Sequence, residues 1–188
     1  MREPSSAAGS PPVGRAKRSS ARPARFLIIF VSCFLLCVGI VLTPPVHAVD
    51  VQFSQILVKT AHALIGIFGG HALVQGAILR DPRSGFAVEM RDGCNAVNVT
   101  LLLLSAMIAF PAPWRWKAVG LLAGGAIIQA LNIVRFVSLY YIGQYSMALF
   151  DFAHGYLWES LLVLDTLVVF WLWVNRVSNI RTAAHAGQ

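Results

Sequence analysis

"LLLLSAMIAFPAPWRWKAVGLLAGGAIIQALNIVRFVSLY", residues 101–140, decides the fold. Two long apolar runs flank a short break, "PAPWRWK" at 111–117. Pro111 and Pro113 cannot continue a helical hydrogen-bond ladder. Trp114 and Trp116 suit a membrane–water interface, and Arg115 and Lys117 suit the loop beside it. The spacing predicts two helices, about 96–110 and 117–139, crossing an apolar layer in opposite directions.

Composition agrees along the whole chain. Of 188 residues, 57% are hydrophobic and only 12% charged, where a soluble domain carries about 25% charged residues. Mean hydropathy is +0.67. These values point to an integral membrane protein with one compact helical domain. The net charge of +7 does not imply a nucleic-acid partner, because the cations sit at the ends of apolar runs instead of on one soluble face.

Working outward, "FLIIFVSCFLLCVGIVL" at 26–42 is an uncharged run just long enough to span, closed by "TPP" at 43–45. Residues 1–25, rich in Ser, Ala, Pro, Gly and Arg, are expected to be a disordered basic tail. The run also resembles a secretory signal with "VHA" at 46–48 as a cleavage site; its length favours a retained anchor. A last run, "YLWESLLVLDTLVVFWLWV" at 156–174, ends before a tail at 176–188. The multispan domain is thus expected over 26–175.

Residues 51–79 mix apolar residues with Lys59, His62, His71, Gln75 and four glycines. A central Lys costs a spanning helix roughly 2.5–3.5 kcal/mol, so this stretch is expected to form one or two amphipathic helices on the outer surface. His62 and His71 are expected to face the interface or a polar neighbour and not to bind a metal. "RDPRSG" at 80–85 reads as a turn, and "FAVEMRDG" at 86–93 as a short strand or hairpin ending at Asp92–Gly93. The expected fold class is therefore an all-α integral membrane protein: about four transmembrane helices, an outer amphipathic helical segment and a short β-hairpin.

The basic residues set its orientation. With both termini in the cytoplasm, ten of the fifteen Lys and Arg lie inside, among them Arg15, Lys17, Arg18, Arg115, Lys117 and Arg176. Lys59, Arg80, Arg83, Arg91 and Arg135 fall outside or at outer helix ends, with most of the acids. This distribution obeys the positive-inside rule.

In that arrangement Cys94, Arg135 and His154 reach one face from three helices. Singly, each has an ordinary structural reading: a small hydrophobe, a snorkelling cation, an interfacial ring. Together they form a chemical set. A thiol becomes a better nucleophile when a neighbouring His or Arg raises its thiolate fraction. His154 can take and return a proton, and Arg135 can stabilise a thiolate or an oxyanion. Asp92 or Asp151 is a candidate to orient His154. Glu159 lies one turn below it, and Asp165, deeper, is a candidate partner for Gln129 or Asn132. "GLLAGGA" at 120–126 offers close helix approach to a substrate helix or to neighbouring spans. Cys33 and Cys37 share a helix face and read as packing. The cysteines form no C-x-x-C pair, and neither a structural metal nor a cofactor is expected. Two other readings fit the same residues: a small transporter or channel subunit lined by Glu159, Asp165 and Arg135, and a non-enzymatic assembly factor.

"GCNA" at 93–96, "NIVR" at 132–135 and "AHG" at 153–155 resemble, in order and spacing, the signature blocks of the exosortase/archaeosortase family. The "RDGCNA" context and small size resemble its exosortase H subgroup. The resemblance covers roughly residues 26–175. It implies a multi-pass enzyme of the bacterial inner membrane, a cysteine protease or transpeptidase working at the periplasmic face. Its implied partners are exported proteins ending in a motif of the IPTLxxWG type, a transmembrane helix and an Arg-rich tail. It assigns Cys94 as nucleophile, His154 as general acid/base and Arg135 as stabilising cation. Many relatives have Ser-Gly after the cysteine; this chain has Asn95–Ala96.

Overall fold

A computed structural model of the chain describes residues 17–186, with side chains described for 23–180. Helix α1 spans Lys17–Val41 and α2 Pro44–Ile67. Three short strands follow, β1 Leu73–Gln75, β2 Ile78–Arg80 and β3 Ala87–Glu89. Helices α3 (Val97–Ala109), α4 (Trp114–Tyr145), α5 (Met147–Phe152) and α6 (Trp158–Ala186) follow among the described residues.

Pro23–Val41, Trp114–Tyr145 and Met147–Ile180 are long and apolar enough to cross a membrane. The fourth expected span, α3, is apolar but has only 13 residues. At 1.5 Å per residue it is about 20 Å long, against a hydrocarbon core of about 30 Å. The 32-residue α4 is about 48 Å long by the same rule. It therefore outreaches the core and carries a second layer of structure beyond it.

The bundle packs through small residues. A methyl group on Gly120 would overlap the Trp173 indole of α6, and one on Gly124 would press on Leu103 and Met107 of α3. The small-residue stripe at 120–126 is thus used at these two positions for internal packing. Leu103, Met107, Ile128 and Leu162 form the bundle core with Ala96. At the end remote from Ala96, Trp173 Nε1 donates to the Trp116 carbonyl at 2.9 Å, and Lys117 donates to the Ile108 carbonyl at the end of α3.

The second layer is a cap of α2, α5 and an antiparallel sheet in the order β1-β2-β3. Leu79 pairs with Val88 in register; both are buried, and their strand neighbours are more exposed. They close over Leu57, Val58, Ala61 and Ile65 of α2 and Phe136 and Tyr140 of α4. The single helix and two strands over 44–80 correct the expectation of surface helices through residue 79. Glycines stop the helix: Gly69, at φ 76, takes the left-handed conformation that ends many helices. "LVQGAIL" then turns back through Gly76, at φ 62. The expected turn at 80–85 is closed by Asp81, whose carboxylate accepts from the Ser84 amide at 2.8 Å and hydroxyl at 2.6 Å.

The helical ends also differ from expectation. Helix α1 is already helical at Lys17, the first described residue, so residues 17–25 extend the apolar run as helix; the rest of the expected disordered tail, residues 1–16, lies outside the described residues. Helix α6 runs on through the expected tail to Ala186.

Candidate active site at the border of bundle and cap

Cys94 lies in the loop between β3 and α3. Its amide donates to the Arg91 carbonyl at 2.9 Å, closing a turn in which Gly93 has φ 86. The next residue, Asn95, is 1% exposed. Its Nδ2 donates to Asp50 Oδ1 at 2.7 Å and to Ser54 Oγ at 3.1 Å, both on α2. Its Oδ1 accepts from the Val97 amide at 3.1 Å, satisfying one free donor at the start of α3. Asn95 thus ties the cysteine loop to two helices at once. Ala96 has φ 56, a conformation easy for Gly and costly for other residues.

His154 sits on a π-helical turn, Ala153–Leu157, between α5 and α6. Its imidazole stacks on Phe150 with centroids 5.6 Å apart and planes 12° from parallel. Phe150 in turn meets Phe86 edge-on, and Phe86 lies against Gly143, where a methyl group would overlap its ring. This aromatic chain fixes the imidazole with its Nε2 3.5 Å from Cys94 Sγ.

Arg135 comes from α4 and is 4% exposed. Its guanidinium makes no hydrogen bond or ion pair among the described residues; the Glu89 carboxylate at the rim lies 3.9 Å from Arg91 instead. Cys94, His154 and Arg135 line one cavity with Val88, Glu89, Asn132, Phe136 and Leu139. Its free volume is about 10 Å³, the room of a single water. A larger apolar cavity of about 350 Å³, between α1, α2, α3 and α4, reaches this region through Asp50 and Val97 and holds none of the three.

Among the described residues none of the acids proposed around His154 pairs with it. Asp92 Oδ2 is 3.0 Å from His47 Nε2 at the start of α2. That hydrogen bond, then the charge of Asp92, raises the His47 pKa above its usual value of 6.5, and Asp50 adds to the rise. Asp151 and Glu159 are exposed. Phe150, not a carboxylate, holds the imidazole. Asp165 pairs with neither Gln129 nor Asn132: Gln129 Nε2 donates to Thr100, and the Asn132 amide has no partner. His62 bonds the Ala72 carbonyl. Among the described residues no three His, Cys, Asp or Glu side chains group as a metal would need. Asp50, Ser54, Asn95 and Phe150 escaped the sequence reading because loop-to-helix contacts leave no periodic signal. Asn132 had one: it precedes Arg135 by three, which puts both on one helix face.

Fold and site together define a multi-pass membrane protein with a Cys–His pair and a buried cation beneath a small cap. Residues 19–179 match the family model described as Transmembrane exosortase (Exosortase_EpsH), and the chain belongs to that family. No curated protein and no solved structure matches it.

Proposed function

We propose that the protein is a cysteine protease or transpeptidase that cleaves C-terminal sorting signals of exported proteins at the periplasmic face of the inner membrane. The observation that carries this reading is the 3.5 Å approach of Cys94 Sγ to His154 Nε2 in a cavity lined by a buried guanidinium.

In the proposed reaction, His154 Nε2 accepts the thiol proton and Cys94 attacks the scissile carbonyl carbon. Arg135 stabilises the negative charge that develops on oxygen. As the C–N bond breaks, His154 returns the proton to the leaving amine. Water then releases the exported protein, or an amine re-attaches it. The placement suits such a substrate, because Cys94 packs on the cap core and Ala96 in the bundle core. A motif just above an apolar helix would meet the thiol at that border. Arg115, Lys117 and Arg176 lie at the other end of the bundle, and the positive-inside rule, which favours a cytoplasmic place for such cations, supports a periplasmic site. Resemblance to the H subgroup supports the IPTLxxWG type of signal. Neither Glu159 nor Asp165 lines the Arg135 cavity, which supports the enzyme reading over a transport path through those three residues.

The test is processing of a co-expressed reporter ending in that motif, an apolar helix and an Arg-rich tail. Cys94→Ala is expected to abolish cleavage, and Cys94→Ser to leave a trace. Full cleavage by Cys94→Ala overturns the proposal.

A further inference from the structure

Asn132 is 0% exposed, and neither its Oδ1 nor its Nδ2 has a hydrogen-bond partner. A buried amide is almost always paired, and an unpaired one needs an explanation. Three other residues help to interpret it. Ser105 and Gln129 also carry an unpaired buried oxygen, but neither lines the thiol cavity, and Gln129 still bonds Thr100 through its nitrogen. Asn95 is as buried as Asn132 and is bonded at both ends of its amide. Among the described residues Asn132 alone has both ends of a buried amide free. It lines the cavity that Cys94, Arg135 and His154 share, one turn before Arg135 on α4.

We infer that Asn132 is a further catalytic residue, whose Nδ2–H donates to the oxygen of the scissile carbonyl beside the Arg135 guanidinium. The inference rests on the proposed cleavage. In that step the S–C bond forms while the carbonyl π pair moves onto oxygen, and the thiol proton passes to His154. The oxyanion then accepts hydrogen bonds from Asn132 and Arg135. Collapse re-forms the carbonyl, breaks the C–N bond and sends the His154 proton to the leaving nitrogen. A guanidinium supplies charge and a neutral amide supplies direction; a tetrahedral oxygen has lone pairs for both. The cavity, about 10 Å³, admits one oxygen-sized group, which matches an oxyanion better than a side chain. A free donor, already desolvated and fixed on a helix, needs no reorganisation when charge develops.

Asn132→Ala and the near-isosteric Asn132→Leu test this in the full-length protein, with the reporter described above. The single-turnover rate of first cleavage is expected to fall about 100- to 1000-fold, as for loss of one oxyanion donor. Reporter capture, measured in the Cys94→Ala background, is expected to stay within about threefold, by the size of a small binding change. The thermal midpoint of Asn132→Leu is expected to match or exceed wild type, because an unpaired buried amide is replaced by an apolar group. Cleavage by either variant within about tenfold of wild type overturns the inference, since one 1.4 kcal/mol interaction accounts for that factor. So does a rate loss accompanied by a lower midpoint in both variants, which marks a structural residue. Cleavage persisting in Cys94→Ala overturns the underlying reaction instead. A dead Cys94→Ala with fully active Asn132 variants removes only Asn132 from the chemistry.

Discussion

The cap and the bundle each bury a compact apolar cluster, yet they hold together differently. In the cap, Leu79 and Val88 meet α2 and α4 by β alternation. The buried polar groups there are paired: Tyr140 Oη donates to the His71 carbonyl at 2.8 Å, and Asp81 binds Ser84 twice. The bundle instead relies on glycines that seat large side chains, and it leaves Ser105, Gln129 and Asn132 with unpaired atoms. The difference follows from the solvent. Burial from water stabilises the cap, whereas helices in lipid gain mainly from close packing.

Leu79→Ala and Leu103→Ala give this contrast its largest test, since both leucines are 0% exposed. Leu79→Ala should destabilise the cap by about 3 kcal/mol, the sum of lost transfer and cavity terms. Leu103→Ala, facing a lipid-like reference, should lose chiefly the cavity term and cost about 2 kcal/mol less. Equal losses in denaturation of the reconstituted protein would break the distinction.

Glycine replacements come next. Gly120→Ala drives a methyl group into Trp173 and should cost about 1–3 kcal/mol of bundle stability. Gly143→Ala pushes on Phe86 and, through Phe150, on the imidazole. Its expected signature is slower reporter cleavage, about tenfold for a 1.4 kcal/mol misplacement, with the bundle transition unchanged. If Gly143→Ala lowers only stability, the aromatic chain does not aim His154.

The smallest effect concerns the strap between cap and cysteine loop. The folded-state pKa of His47 is raised by Asp92, so the pair stabilises the fold fully below the unfolded value near 6.5. That contribution fades as pH rises through the higher folded value. Thermal midpoints measured between about pH 6 and 8.5 should fall slightly with pH, and His47→Gln should flatten the slope. A slope unchanged by His47→Gln would exclude the strap.

Much of the bundle was legible because apolar runs and their prolines, tryptophans and cations are local signals. Placing Cys94 just before a span needed only those runs, but the expected end of the second helix near 139 put Arg135 too close to a terminus: α4 continues past it to Tyr145. The cap was less legible. Its α2 is too polar to read as a span, and the three-residue strands are too short for a period-2 pattern to stand out. "LVQGAIL" did carry a signal, a Gly in a two-residue turn between the β-prone pairs Leu73–Val74 and Ile78–Leu79. Asp92 illustrates a further limit: adjacency to Cys94 suggested service to His154, but its partner, His47, lies 45 residues away. Position 96 was readable only after the fold was known. Its φ of 56 explains why Gly suits that place in the resembling sequences.

The turn at Ala153–Leu157 has one further effect. A π turn holds one residue more than an α turn, and each residue rotates an α-helix by about 100°. Deleting one residue there would force a choice. Either His154 swings about 100° away from the sulfur, or α6 rotates Leu162, Thr166 and Val177 out of their buried positions. The extra residue works as an angular spacer, letting the last helix satisfy its packing while the imbedded ring keeps its aim.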